Sequence, residues 1–133
     1  MDKITVIIPT FNEEENIKKA YDFIKKNEFI NNSSLNINII FSDDNSTDKT
    51  REIITELTKF DDKVNIYTPI SKKGLGFALI TATKTCYESD YIVFLDCDIT
   101  ITKKNLSELL NARKKNSMII GSRYLKDSIL RKK

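Results

Sequence analysis

Asp96 and Asp98 stand on either side of one residue, Cys97, directly after the apolar run Tyr91 to Leu95. Two carboxylates at this spacing can share one cation. Alternatively, one holds a metal while the other takes a ribose or a water. Hard Mg²⁺ or Mn²⁺ prefers such oxygen ligands and keeps coordination positions open for phosphates. A metal bridging a diphosphate neutralises charge that builds on a leaving group. The same spacing also serves as plain turn chemistry at the end of a strand.

A second polar cluster, Asp43-Asp44-Asn45-Ser46-Thr47-Asp48, follows the apolar segment Leu35 to Phe41. Ser46 or Thr47, with Asp48, suits the start of a helix. Capping does not require two consecutive aspartates before it, and a carboxylate there can accept a hydrogen bond from the N–H of a nucleotide base. Asn12-Glu13-Glu14-Glu15 reads as a capped first turn, with Asn12 as the cap and Glu15 reaching back. Lys72-Lys73-Gly74-Leu75-Gly76 lacks the third glycine of a dinucleotide fingerprint and is no nicotinamide site. It either brings Lys73 near a phosphate or simply starts a helix. Arg123, after Gly121-Ser122, is a phosphate clamp or a surface ion pair.

Strand-like and helix-like segments alternate to position these groups. The expected strands are Ile4 to Ile8, Leu35 to Phe41, Val64 to Tyr67, Tyr91 to Leu95 and Met118 to Ile120. The first helix presents Ile17, Ala20, Tyr21 and Ile24 on one face, at helical spacing. The second turns Ile53, Ile54, Leu57 and Phe60 inward, and the third Leu75, Ala78, Leu79, Ala82 and Cys86. Another helix surrounds Leu106, Leu109 and Leu110, while Asn31 to Ser34 reads as a loop. The apolar Tyr91 to Leu95 run predicts a strand covered on both faces. Alternation of this kind predicts an α/β fold, a mainly parallel sheet with helices on both faces. Ligands of such sheets bind outside the carboxyl ends of the strands. Pro9 to Glu13, Ser42 to Asp48, Asp96 to Thr100 and Gly121 to Arg123 all fall there, on one sheet edge.

Composition narrows the chemistry. The chain has 133 residues, 40% apolar and 31% charged, with a formal net charge of +3. This is one domain's length with ordinary globular composition, and no basic run carries interleaved aromatics for nucleic acid. Histidine is absent, which excludes a Ser-His-Asp triad, a Cys-His dyad and His-ligated zinc. Cys86 and Cys97 form no Cys-x-x-Cys pair and are read as reduced thiols. Met1-Asp2-Lys3 enters a strand without a signal-peptide layout, so a cytoplasmic location is expected. The basic residues Lys103, Lys104, Arg113, Lys114, Lys115 and Arg131 to Lys133 are either a solvated surface or a face for anionic membrane.

Taken together, the motifs resemble glycosyltransferase family two, with its GT-A fold and Rossmann-like nucleotide-binding half. Val6-Ile7-Ile8-Pro9-Thr10-Phe11-Asn12-Glu13 is similar to the family's first strand and nucleotide loop. Asp43 to Thr50, Lys73 to Gly76, and Asp96-Cys97-Asp98 match its later signatures in order. Gly121-Ser122-Arg123-Tyr124 is similar to the polyprenyl-phosphate sugar synthases, the dolichyl-phosphate mannose synthases among them, although Thr100 stands where those often have Gln. The resemblance implies that Pro9, Phe11 and Glu13 line a nucleoside pocket and that Asp43 and Asp44 lie at the base, with Asp44 in contact. It places Asp96 and Cys97 near ribose and phosphates, Asp98 and Asp96 on the metal, and Lys73 and Arg123 on phosphate.

The implied partners are a GDP- or UDP-hexose donor, Mg²⁺ or Mn²⁺, and an acceptor such as a polyprenyl phosphate. The implied reaction is transfer with inversion, with Asp96 and Asp98 as its catalytic pair. The family's acceptor region follows the segments matched here, so residues 1–133 are expected to be a single donor-binding domain lacking a C-terminal segment or subunit. Rival readings remain at this stage. Apolar strand plus Asp-x-Asp-x-Thr resembles the haloacid-dehalogenase phosphatases, with Asp96 as nucleophile and Asp98 as acid/base. A nucleotide-sugar-binding domain without turnover, or a bare structural domain, would also carry these motifs.

Overall fold

The computed structural model describes residues 1–69 and 74–119. Expectations placed on Lys73, Ile120, Gly121, Arg123 and the basic tail lie outside the described residues. The chain divides into two compact units, Met1–Thr100 and Ile101–Lys133.

The first unit is built on a four-stranded parallel sheet, ordered β3-β2-β1-β4. Its strands are β1 (Lys3–Thr10), β2 (Asn36–Asp43), β3 (Val64–Tyr67) and β4 (Tyr91–Phe94). Between them run α1 (Ile17–Lys25), α2 (Glu28–Asn32), α3 (Thr50–Phe60) and α4 (Leu75–Thr83). The chain steps from β1 to β2 to β3 in one direction. It then crosses back over both to place β4 beside β1. Right-handed crossovers in opposite directions put their helices on opposite faces of the sheet.

β1 and β2 pair from Lys3↔Asn36 through Thr10↔Asp43, so their carboxyl ends are level. Their middles, Val6–Ile8 and Ile39–Phe41, are continuously apolar, as central strands covered on both sides require. Ile4, Val6, Ile8, Ile39 and Phe41 are buried on one face, while Ile7 and Ile40 pack with Ala82 and Cys86 on the other. Pro9 is tolerated in this central strand for a local reason. Odd-numbered residues of β1 bond toward β4, as the Leu95 amide on the Ile7 carbonyl shows. The β4 ladder ends at Ile7↔Phe94. The N–H that Pro9 lacks would point past that end, where no ladder partner is lost.

Several expectations need correction. β4 is an edge among the described strands, and Ile92 and Phe94 are exposed on it. An apolar run alone does not show how many faces are covered. Phe60, the last residue of α3, is 87% exposed, and Leu75, the first of α4, is 57% exposed. Both obey helical spacing but sit at helix ends. The segment Asn31 to Ser34 is partly helical: α2 forms because the Asn27 side chain accepts from the Ile30 amide at 3.3 Å.

The second unit is described through Ile119. It contains α5 (Lys103–Asn111), started by a capping box in which Thr102 and Asn105 exchange side-chain-to-amide hydrogen bonds at 3.0 Å each. Leu106 and Leu110 are buried. Met118 and Ile119, expected as part of a strand, are in no regular element.

Candidate functional site

The parallel arrangement brings the ends of β1, β2 and β4 to one edge. Phe11, immediately after β1, is 40% exposed. Glu13 is half-buried, and its carboxylate accepts from the Asn16 side chain at 2.7 Å. Asp96 and Asp98 are exposed in the turn after β4, on either side of a buried Cys97. Burial, then the charges of Glu13, Asp98 and Asp96, push the Cys97 thiol up to about 12. Glu13 therefore belongs to the same electrostatic neighbourhood as the two aspartates, although it comes from a different loop. At neutral pH the Cys97 thiol is an uncharged S–H.

Asp43 and Asp44 are both buried, Asp44 at 4% exposure, but they hold different partners. Asp43 is 0% exposed. Its carboxylate accepts from the Thr10 hydroxyl at 2.8 Å, the Ser46 hydroxyl at 2.5 Å and the Ser46 amide at 3.0 Å. Those bonds commit its oxygens to the protein's own loop. It organises the loop from beneath. Asp44 lies past the strand end, and its Oδ2 accepts from the Gly74 amide at 3.0 Å. Thus Gly74, from the third motif, joins the same edge. Pro9 is buried near the end of β1.

The helix starts also differ from expectation. α1 begins at Ile17 with Asn16 at its cap position. Asn12 is not a cap: it adopts φ 52° and turns its side chain to the neighbouring loop. α3 begins at Thr50, with Lys49 in the cap position and no cap bond from Lys49's side chain. Asp48, not Ser46 or Thr47, receives the Thr50 amide, at 2.9 Å. Burial pulls the Asp48 carboxyl up, but the hydroxyl and amide of Thr50 and the amide of Glu14 outweigh it and hold the group below its usual value. Asn12 and Ser46 were not among the expected site residues. Asn at a position of left-handed backbone is a signal only once the backbone is known.

The donor set fits a hard divalent ion held partly by substrate. Asp96 and Asp98 are exposed oxygen donors on one turn. Among the described residues no group of three or more acidic or cysteine side chains is arranged to hold a metal. Mg²⁺ and Mn²⁺ commonly bind through one or two carboxylates, with phosphates and waters completing the shell.

A parallel sheet of this order, with acidic loops gathered at its carboxyl edge, defines an α/β nucleotide-binding architecture of the GT-A kind. Residues 5–132 match the model of glycosyl transferase family 2, and the chain belongs to that family. It is 37% identical over 126 residues to a dolichol-phosphate mannosyltransferase of Pyrococcus furiosus, covering 93% of this chain and 34% of the relative. It is 30% identical over 117 residues to the GalNAc(5)-diNAcBac-PP-undecaprenol beta-1,3-glucosyltransferase of Campylobacter jejuni, covering 83% and 34%.

Solved structures agree on the fold. A mannosyltransferase from Pyrobaculum calidifontis, in complex with GDP-Man and Mn²⁺, superposes with a TM-score of 0.68 at 21% identity, over 82% of this chain and 31% of that one. Glucosyl-3-phosphoglycerate synthase from Mycobacterium tuberculosis, with Mn²⁺, UDP and phosphoglyceric acid, gives 0.59 at 24% identity, over 83% and 38%. The chain thus spans about a third of the length of the curated relatives it matches. Family membership removes the haloacid-dehalogenase reading of Asp96 and Asp98.

Proposed function

We propose that this chain is the donor-binding part of a metal-dependent, inverting glycosyltransferase that moves a hexose from GDP or UDP to an acceptor, with a polyprenyl phosphate as the acceptor class. The observation that carries it is the convergence of Phe11, Glu13, Asp44, Asp96 and Asp98 at one sheet edge in a family 2 chain. Names of the relatives support the lipid-phosphate class, and the Mn²⁺ complexes among the structural neighbours support a divalent ion.

In this reading Phe11 and Glu13 flank the nucleoside and Asp44 meets the base. Asp96 and the Cys97 backbone face ribose and phosphate, while Lys73 and Arg123, outside the described residues, are the phosphate contacts the resemblance implies. Asp98, with Asp96, would hold Mg²⁺ or Mn²⁺. When bound, such an ion supplies charge neutralisation on the leaving diphosphate. An acceptor phosphate is already ionised near neutral pH, so its attack on the anomeric carbon needs no base from the protein. The acceptor oxygen forms the new bond as the nucleoside diphosphate leaves from the opposite face, with inversion. The chain's own contribution is to orient the donor for that in-line displacement.

A lipid acceptor would place the chain at the cytoplasmic face of a membrane, where exposed Lys103, Lys104, Lys114 and Lys115 would meet anionic headgroups. Among the described residues no helix is long and apolar enough to cross a membrane.

The test is thermal stability with GDP, UDP or neither, each with and without Mn²⁺, beside Asp98→Ala. A ligand at ~100 times its dissociation constant adds ~2.7 kcal/mol. One nucleotide should stabilise the chain only with metal, and Asp98→Ala should abolish the effect. If neither nucleotide stabilises the folded chain, it is no donor site.

A further inference from the structure

The loops after β1 and β2 are joined by an exchange of hydrogen bonds that the roles above leave unused. Three successive amides of the first loop donate to side chains of the second. Asn12 donates to Ser46 Oγ at 2.9 Å, Glu13 to Thr50 Oγ1 at 2.8 Å and Glu14 to Asp48 Oδ2 at 3.4 Å. Three successive amides of the second loop return the favour. Thr47 and Asp48 donate to Asn12 Oδ1 at 2.8 and 3.3 Å, and Lys49 donates to Glu14 Oε2 at 3.1 Å. The Thr47 hydroxyl adds a bond to the same Asn12 oxygen at 3.3 Å. Ser46 is itself fastened to buried Asp43.

Asn12 is central to this clasp. Its φ of 52° is a left-handed conformation that Gly, Asn and Asp tolerate best. That kink lies between Phe11 and Glu13, and so sets the directions of both. β1 and α1, on either side, are anchored by their own buried residues, Ile8 before the loop and Ile17 after it. Releasing the clasp would therefore loosen the loop without unfolding its neighbours. A loosened loop must be ordered when a ligand binds, which costs affinity.

We infer that Asn12 is the positioning residue of the nucleoside pocket: through Thr47, Asp48 and Ser46 it fixes Phe11 and Glu13 against the β2 loop that carries Asp44. The inference rests on the donor-site reading. It also accounts for the amides of residues 47 to 49, ahead of α3, which are spent on this clasp and are not open to a phosphate.

The experiment measures the dissociation constant of GDP and UDP with Mn²⁺ by calorimetry, on the full chain, at a temperature where circular dichroism shows every variant folded. Asn12→Gly keeps the backbone conformation and removes the acceptor oxygen. Asn12→Asp keeps both. Ser46→Ala removes the hydroxyl that receives the Asn12 amide and retains the Ser46 amide bond to Asp43. Tyr21→Phe, which loses a hydrogen bond to Asp61 between α1 and the end of α3, controls for simple loss of stability. Asn12→Gly and Ser46→Ala should weaken nucleotide binding about tenfold. Asn12→Asp should stay within about threefold of the unaltered chain, and Tyr21→Phe should lower Tm without changing affinity. Unchanged binding by Asn12→Gly, weakening by Asn12→Asp equal to that of Asn12→Gly, or matching weakening in Tyr21→Phe would each overturn the inference. If the unaltered chain binds neither nucleotide, the donor-site reading fails and takes this inference with it.

Discussion

The Thr10 hydroxyl donates to the Asp43 carboxylate at 2.8 Å, and the two residues are register partners at the last rung of the β1–β2 ladder. Both are buried. A carboxylate enclosed at the lip of a sheet is stable only if donors surround it, and here Thr10 and Ser46 supply them. The sheet thus ends in a fixed polar seam from which both functional loops depart.

Replacing Asp43 with Ala should strand the Thr10 and Ser46 donors in a buried space. The expected loss is about 3 kcal/mol, since each abandoned buried group costs roughly 1–3 kcal/mol. Asp43→Asn keeps one acceptor oxygen and turns an N–H toward the Ser46 amide, so it should lose less. Urea unfolding checks both variants. A loss under about 1 kcal/mol for Asp43→Ala would mean the seam is not held by this carboxylate.

How much of this was legible in the sequence differs from residue to residue. The four strands declared themselves because a buried parallel sheet demands apolar runs, and Val64–Tyr67 is bounded as expected. The buried end of β2 had a readable signal. Ile39, Phe41 and Asp43 share one side of the strand by the period of two, so Asp43 continues a buried face, and Asp44, just beyond the strand, is buried as well. Asn12 had no such signal. Its partners are 35 and 36 residues away, and local capping rules see only the next few positions. The exposure of Phe94 depends on what lies beside β4, which periodicity does not report.

Asp61 gives the fold a pH dependence at the acid end. Burial raises its carboxyl, but the Lys25 ammonium, the Lys63 amide and the Tyr21 hydroxyl outweigh that and hold it below its usual value. Its stabilising contribution is complete above the unfolded carboxylate pKa of ~3.9. It is lost as pH falls through the lower folded value. Asp61→Asn should therefore lower Tm near pH 7 by about 3–4 °C, for roughly 1 kcal/mol. The gap should shrink toward pH 2. A gap that stays constant over that range would show that charge at Asp61 contributes nothing.

The two thiols should be silent in the native chain. Cys86 and Cys97 are both buried, and the Cys97 thiol is pushed up to about 12. At pH 8, in chelator, a thiol reagent should label neither residue until denaturant is added, after which both should react. The raised value also means that Cys97 favours folding most below the unfolded thiol pKa of ~8.5 and loses that contribution as pH rises toward about 12. Rapid native labelling at Cys97, located by peptide mapping, would contradict the enclosed geometry of the Asp96–Asp98 turn.

Gly74 and Gly76 separate backbone conformation from space. Among the described residues an added Cβ would meet nothing within 4 Å at either position, so packing there predicts the same harmless outcome for both alanine variants. The backbone predicts opposite outcomes. Gly74 has φ 90° and ψ 169° and gives its amide to Asp44, a conformation open essentially to glycine alone that costs another residue roughly 1–3 kcal/mol. Gly76 lies inside α4, where Ala is favoured by roughly 1 kcal/mol. Gly74→Ala should lower stability and Gly76→Ala should raise it. Because Asp44 is the proposed base contact, Gly74→Ala should also weaken nucleotide binding, while Gly76→Ala leaves it unchanged. Equal stability changes in the two variants would show that the Gly74 turn relaxes freely. In that case its hydrogen bond does not hold the Asp44 carboxylate, proposed to contact the base, in place.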